Sequence, residues 1–149
     1  MAAMRLARRL RGARGAELIE MALILPILLV VIAGIIDFAL MFQAAEVVTN
    51  AAREGARVGV LPGYNCNGGG DCAARVDEYL AASGLTGWHN TAVTGFTFGG
   101  GGTPVSNGVE VNVAYQHRFI ALGPILALVR GSFASAITLN ATSRMRVEL

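Results

Sequence analysis

The hydrophobic positions change rhythm along the chain. Met21 to Ile36 is an unbroken apolar run of sixteen residues, and Phe38 to Phe42 carries it past a lone acid, Asp37. Beyond that run, apolar or small residues recur at Phe42, Ala45, Val48, Ala52, Ala56 and Val60. A polar stripe of the same period stands at Gln43, Glu46, Asn50, Arg53, Glu54 and Arg57. This spacing predicts an amphipathic helix with one face made to pack and the other to stay wet. Joined to the apolar run, it gives one helix over residues 16–61, ended by the helix-breaking Leu61-Pro62-Gly63. At 1.5 Å per residue this is a rod of about 69 Å, roughly twice what a bilayer's hydrocarbon core requires. The membrane part is placed at about residues 21–42. Pro26 lies inside it, and the missing N–H and the clash with the preceding turn predict a kink near Ala22 to Pro26.

From Gly63 onward the texture becomes glycine-rich. Gly68-Gly69-Gly70 feeds Asp71, expected as the N-cap of a short helix over Cys72–Ala82 with Val76, Tyr79 and Leu80 on its packed face. Thr91–Phe98, Val109–Tyr115 and Phe133–Val147 read as strands, the second alternating most clearly; Gly99–Gly102 with Thr103-Pro104 links the first two, and Asn107-Gly108 supplies turn chemistry. Ile120 to Val129 is an apolar excursion too short to span a bilayer as a helix. It is read as a lid on the sheet, the alternative being a patch that touches membrane or a partner. The fold class is α+β: a long N-terminal transmembrane helix, then a domain over residues 62–149 with a mostly antiparallel sheet and one short helix.

Composition agrees with a membrane chain. It is 54% hydrophobic and 15% charged, against about 25% charged in an average soluble domain. The formal charge is +2, yet Arg5, Arg8, Arg9, Arg11 and Arg14 all precede Ala16, and the remainder carries seven arginines against ten acids. Residues 1–15 are therefore a basic leader, and the rest is mildly acidic. The folded part lacks the basic face that nucleic-acid binding needs, so no nucleic-acid partner is expected. The positive-inside rule puts the N-terminus in the cytoplasm and the domain on the far side of the membrane. A cleaved secretory signal would want a small-x-small site after the apolar run, and Asp37 to Phe42 offers a poor one.

Glu20, at the front edge of the run, is the unusual residue. The stretch Arg14-Gly15-Ala16-Glu17-Leu18-Ile19-Glu20-Met21-Ala22, followed by Pro26, resembles a type IV prepilin processing site. The resemblance implies cleavage by a prepilin peptidase after Gly15, a new N-terminus at Ala16, and Glu20 as fifth mature residue and assembly contact. Gly12 followed by Glu17 offers the same spacing in a second register. With Gly34-Ile35-Ile36-Asp37-Phe38 and Asn50-Ala51-Ala52-Arg53-Glu54-Gly55-Ala56-Arg57, the series is similar to the TadE-like family of the tight-adherence (Tad, or Flp) pilus machinery. That family implies a minor pilin or pseudopilin acting in assembly of an adhesive pilus. Its partners would be the membrane, a prepilin peptidase, and other pilins and pilus-assembly proteins of the inner membrane. A type II secretion pseudopilin and an uncleaved membrane-anchored binding module are the alternatives. Asp37 is read as a solvated interfacial acid, or else an intersubunit partner.

Little catalytic chemistry is legible. Cys66 and Cys72 lie in the segment expected to be exported, where thiols are oxidised, and are expected to form a disulfide. His89 and His117 stand at no zinc-like spacing to them, so no metal is expected. Gly99 to Gly102 lacks the Lys-Ser/Thr ending of a phosphate loop, no local motif flags a nucleophile, and neither an enzyme nor a cofactor is expected. Asn140-Ala141-Thr142 fits an N-glycosylation pattern, read as accidental.

Overall fold

The computed structural model describes residues 2–98, 106–123 and 136–147. Helix α1 spans Ala2–Gly59 without interruption, passing through Pro26. The residues read as a leader form its first turns. It ends two residues before the expected stop, where the Leu61 N–H donates to the Val58 carbonyl and tightens the last turn. A 3-10 turn at Asn67–Gly69 leads into α2, Gly70–Ala82. Three strands follow: β1, His89–Phe98; β2, Ser106–Arg118; and β3, Ala136–Arg146. They form one antiparallel sheet in the order β1-β2-β3, with β2 paired on both sides.

Asp71 does not act as an N-cap. No side chain caps α2; Asp71 lies in its first turn and closes the preceding loop instead, its N–H donating to the Asn65 carbonyl and its carboxylate accepting from the Asn65 N–H. Gly70 is obligatory in this closure, because it has φ +40° and a Cβ there would fall 2.0 Å from the Asn65 carbonyl oxygen. Cys66 and Cys72 are joined across the same loop, with Cα atoms 5.2 Å apart. A loop this short gains about 2 kcal/mol from the cross-link by the chain-entropy relation.

Asn107 and Gly108 do not turn the chain either. Both pair within the sheet, opposite Thr97 and Phe96, because the connection between β1 and β2 falls earlier than Asn107. That connection, residues 99–105, lies outside the described residues, as do 124–135, which hold most of the expected lid and the start of the third predicted strand.

The period-two pattern of β2 sends Val111, Val113 and Tyr115 inward. On them pack α2, through Cys72, Val76 and Leu80, and α1, through Ala44, Val48, Ala51, Ala52 and Ala56. The outward face of the sheet is polar, with the Asn112 amide donating to the Thr142 hydroxyl and Arg144 paired to Glu110. Val48, Ala52 and Ala56 pack as expected, but the face of α1 is shifted at the other positions. Phe42 is exposed and Ala45 only half-buried, whereas Ala44, Val48, Ala51, Gly55 and Gly59 meet the domain. Small side chains carry this seam because the approach is close. A Cβ on Gly55 would lie 2.6 Å from Val76 Cγ2, and one on Gly59 would lie 2.8 Å from both Cys72 Sγ and Val109 Cγ1.

Candidate functional site

Between Leu18 and Phe42 helix α1 is a bare apolar rod. Leu18, Ile19, Leu23, Ile27, Ile35, Phe38 and Phe42 all stand with half or more of their surface open. Apart from the contact that residues 120–122 make with it at Asp37, no described part of the chain covers this stretch, and an 18-residue window within it has a mean hydropathy of 2.8. A helix apolar all round and uncovered by protein needs lipid, so α1 fits a single-pass membrane anchor.

The residues read as a processing site stand at its foot. Beyond its own helix backbone and chain neighbours, Gly15 has no described atom within 4 Å of the place a Cβ would occupy. Glu20 is exposed and makes no hydrogen bond or ion pair among the described residues. Five residues of helix separate it from Gly15, about 7.5 Å along the axis.

Asp37 departs from expectation. It is fully buried and is neither solvated nor free for another subunit. Its carboxylate accepts from three successive backbone N–H groups just beyond β2. Ile120 N lies 3.1 Å from Oδ1, Ala121 N 3.1 Å from both oxygens and Leu122 N 2.7 Å from Oδ2. The physical reason is that three converging N–H groups form an anion-binding concavity, and a carboxylate on an apolar helix has few better partners. Asp37 also shares the face of the small-residue seam, since it precedes Ala44 by seven residues, two helical turns. The helix therefore holds the domain at two levels, by close packing above and by this carboxylate below. His117 lies near it, buried, its ring edge-on to Phe119 at 5.9 Å and its Nε2 without a partner among the described residues.

Higher on α1 the opposite faces have different uses. Phe42, Ala45, Glu46, Thr49, Asn50 and Arg53 line an open groove along α1. On the flank, Glu54 ties the helices together. It accepts from Arg57 Nε and Nη2 at 2.9 and 2.7 Å, and from Arg75 of α2 at 3.1 and 2.9 Å; Arg75 also donates to Glu78 at 2.7 Å. The hydrogen bonds from Arg57 and then Arg75 outweigh partial burial and hold the Glu54 carboxyl at about 2, below the ordinary 4.5. Because the folded value is depressed, the stability Glu54 contributes is complete above its unfolded value and is lost as pH falls through the folded one. Acid titration of thermal unfolding should therefore show a loss of stability from about 4.5 downward. Glu54→Gln should flatten that slope; an identical slope in the variant would count against the bridge. His89 secures the start of β1, contacting the Gly87 carbonyl and Asp77 at 3.0 Å each; the first of these, then the second, raises its pKa.

Sequence reasoning missed the Asp37 clamp, the exact seam and the Glu54–Arg75 bridge. The spacing Asp37, Ala44, Val48, Ala51, Gly55, Gly59 was available as a signal for the first two. The bridge joins separate elements and had none. Among the described residues no cluster of His, Cys, Asp or Glu could hold a metal ion.

No curated protein and no solved structure matches the chain. A family model does: residues 15–57, almost all of α1 beyond its first turns and none of α2 or the sheet, match the model described as TadE-like protein. The N-terminal helix thus carries a TadE-like segment.

Proposed function

We propose that the chain is a minor pilin or pseudopilin that takes part in assembly of a Tad/Flp-type adhesive pilus. The observation that carries this reading is the extent of the TadE-like match, which opens at residue 15 and takes in the whole apolar rod and the polar groove above it. Those are the surfaces a subunit held by its helix offers to neighbours. In this reading a prepilin peptidase cuts after Gly15, the chain crosses the bacterial cytoplasmic membrane once with its N-terminus inside, and the domain is exported. Removal of residues 1–15 takes away five arginines and leaves a net charge of −3.

The cut also gives Glu20 a role. It creates an α-amino group on Ala16, and a carboxylate at the membrane edge of a neighbouring subunit compensates that cation, so neither charge stays alone near lipid. Exposure of Glu20 on a helix with no internal partner leaves it available for such a pairing.

Mass spectrometry of protein from its native host should give a chain beginning at Ala16. Retention of Met1 would remove the pilin reading and leave a membrane-anchored binding module. Glu20→Ala should insert into the membrane normally and be incorporated into the assembly severalfold less; undiminished incorporation would remove the contact role. Co-purification with pilus components, against type II secretion components, separates the two processed classes.

A further inference from the structure

We infer that the floor of the C-terminal domain, formed by Trp88, Arg118 and Ile120, is a lipid-contacting surface seated in the headgroup layer of the leaflet nearest the domain. This inference rests on the reading of α1 as a membrane span. Asp37 sets the level. It lies five residues, about 7.5 Å, inside the end of the apolar run at Phe42, and its carboxylate holds the N–H groups of residues 120–122. Side chains on a helix lean toward its N-terminus, which brings those N–H groups lower still. With the span ending near Phe42, Ile120 therefore lies at the membrane boundary rather than above it.

The surroundings of Ile120 have the chemistry of a bilayer boundary. Ile120 is 71% and Trp88 61% exposed, and both line one open depression with Arg118, Gln116 and Tyr115. The backbone fixes them there, for the Gln116 N–H donates to the Trp88 carbonyl beside the end of β2. A second cleft runs from Ile120 and Tyr115 to Leu40, Gln43 and Ala44 of α1, so this surface is continuous with the membrane helix itself. Tryptophan is the side chain most at home at that boundary, with an apolar body and a ring N–H for the headgroups. The exposed Arg118 guanidinium, which has no protein partner among the described residues, matches lipid phosphate in charge and geometry. A second copy of the chain would cover the same apolar atoms but would not account for their level beside Asp37.

Trp88 is the chain's single tryptophan and so reports on this surface in the unmodified protein. The full chain is reconstituted in phosphatidylglycerol/phosphatidylethanolamine vesicles containing phospholipids brominated either near the glycerol or near the chain ends. Trp88 emission should be blue-shifted, lose most of its intensity to the shallow bromines, lose little to the deep ones, and resist aqueous acrylamide. Free quenching by acrylamide without quenching by bromolipid would overturn the inference, and so would shielding from both, which would mean that protein covers the surface. A Trp88→Phe/Val31→Trp variant gives the control at mid-bilayer. Failure of the deep bromines to quench Trp at 31 would refute the membrane span itself, whereas quenching there with a water-exposed Trp88 would refute the floor contact alone.

Discussion

Replacing Gly55 by leucine should destabilise the C-terminal domain by about 2 kcal/mol and lower its unfolding midpoint by about 10 °C. The position lies where α1 meets α2 and the centre of the sheet. Even a bare Cβ would come 2.6 Å from Val76 Cγ2, 3.2 Å from the Cys72 carbonyl oxygen and 3.4 Å from Val111 Cγ1. Val76 can change rotamer, but the Cys72 carbonyl is backbone beside a disulfide and cannot withdraw alone. Overpacking of this kind costs typically 1–3 kcal/mol, and leucine stands at the upper end, since its γ and δ carbons enter the same space. Removing a glycine from a helix returns about 1 kcal/mol, which leaves the net loss stated. Gly55→Ala, with the helical gain but only the Cβ contact, should lie close to neutral. Thermal unfolding of the full chain in detergent, followed by near-ultraviolet circular dichroism, separates these cases. Equal midpoints for the leucine variant and the parent would mean that helix and domain are not closely packed at Gly55.

The second large effect is expected at Asp37. Asp37→Ala removes the acceptor for three backbone N–H groups at once. Hydrogen bonds to a charged group contribute roughly 1.5–3 kcal/mol each, and three that share one carboxylate are not additive, so about 3 kcal/mol is expected for the set. Hydrogen exchange at the amides of residues 120–122 should therefore accelerate about a hundredfold. Asp37→Asn keeps one acceptor oxygen in a neutral group and should fall between parent and alanine variant. Exchange at Val111 and Val113, in the centre of the sheet, should change far less, because the seam from Ala44 to Gly59 still holds the domain. If the three amides exchange at the parental rate in the alanine variant, the carboxylate does not fasten the domain to the helix.

These two sites also mark what could be read from the chain. The apolar run, the amphipathic continuation, the short helix and the three strands were legible, since each rests on local periodicity and breakers that one segment carries by itself. Most element ends fall within a few residues of the expected ones. Local signals misled where tertiary context decided. Asp71 has the residue type of an N-cap, yet Asn65 claims its carboxylate. Asn107-Gly108 has turn chemistry, yet Thr97 and Phe96 pair with it. Phe42 and Ala45 seemed the natural packing residues, yet a seam of alanines and glycines admits α2 and the sheet closer to the axis. Asp37 could be noticed as an acid among apolar residues, but its partner is backbone more than eighty residues later. A hydrogen bond to main-chain N–H leaves no trace in residue type.

If the chain is cut after Gly15, as proposed, the unbroken course of α1 through that residue bears on how the cut is made. A peptidase needs its substrate extended across the catalytic groups, and a helical peptide bond must first unwind. Gly12 and Gly15 sit three residues apart at this point, each weakening helix by about 1 kcal/mol relative to alanine. Under the proposed cleavage, the two glycines lower the cost of unwinding the helix at the cut, so processing would depend on that unwinding as well as on the sequence there. Gly12→Ala would keep the Gly15–Ala16 bond and every arginine while strengthening the helix around it, so in this reading slower processing is a conformational effect.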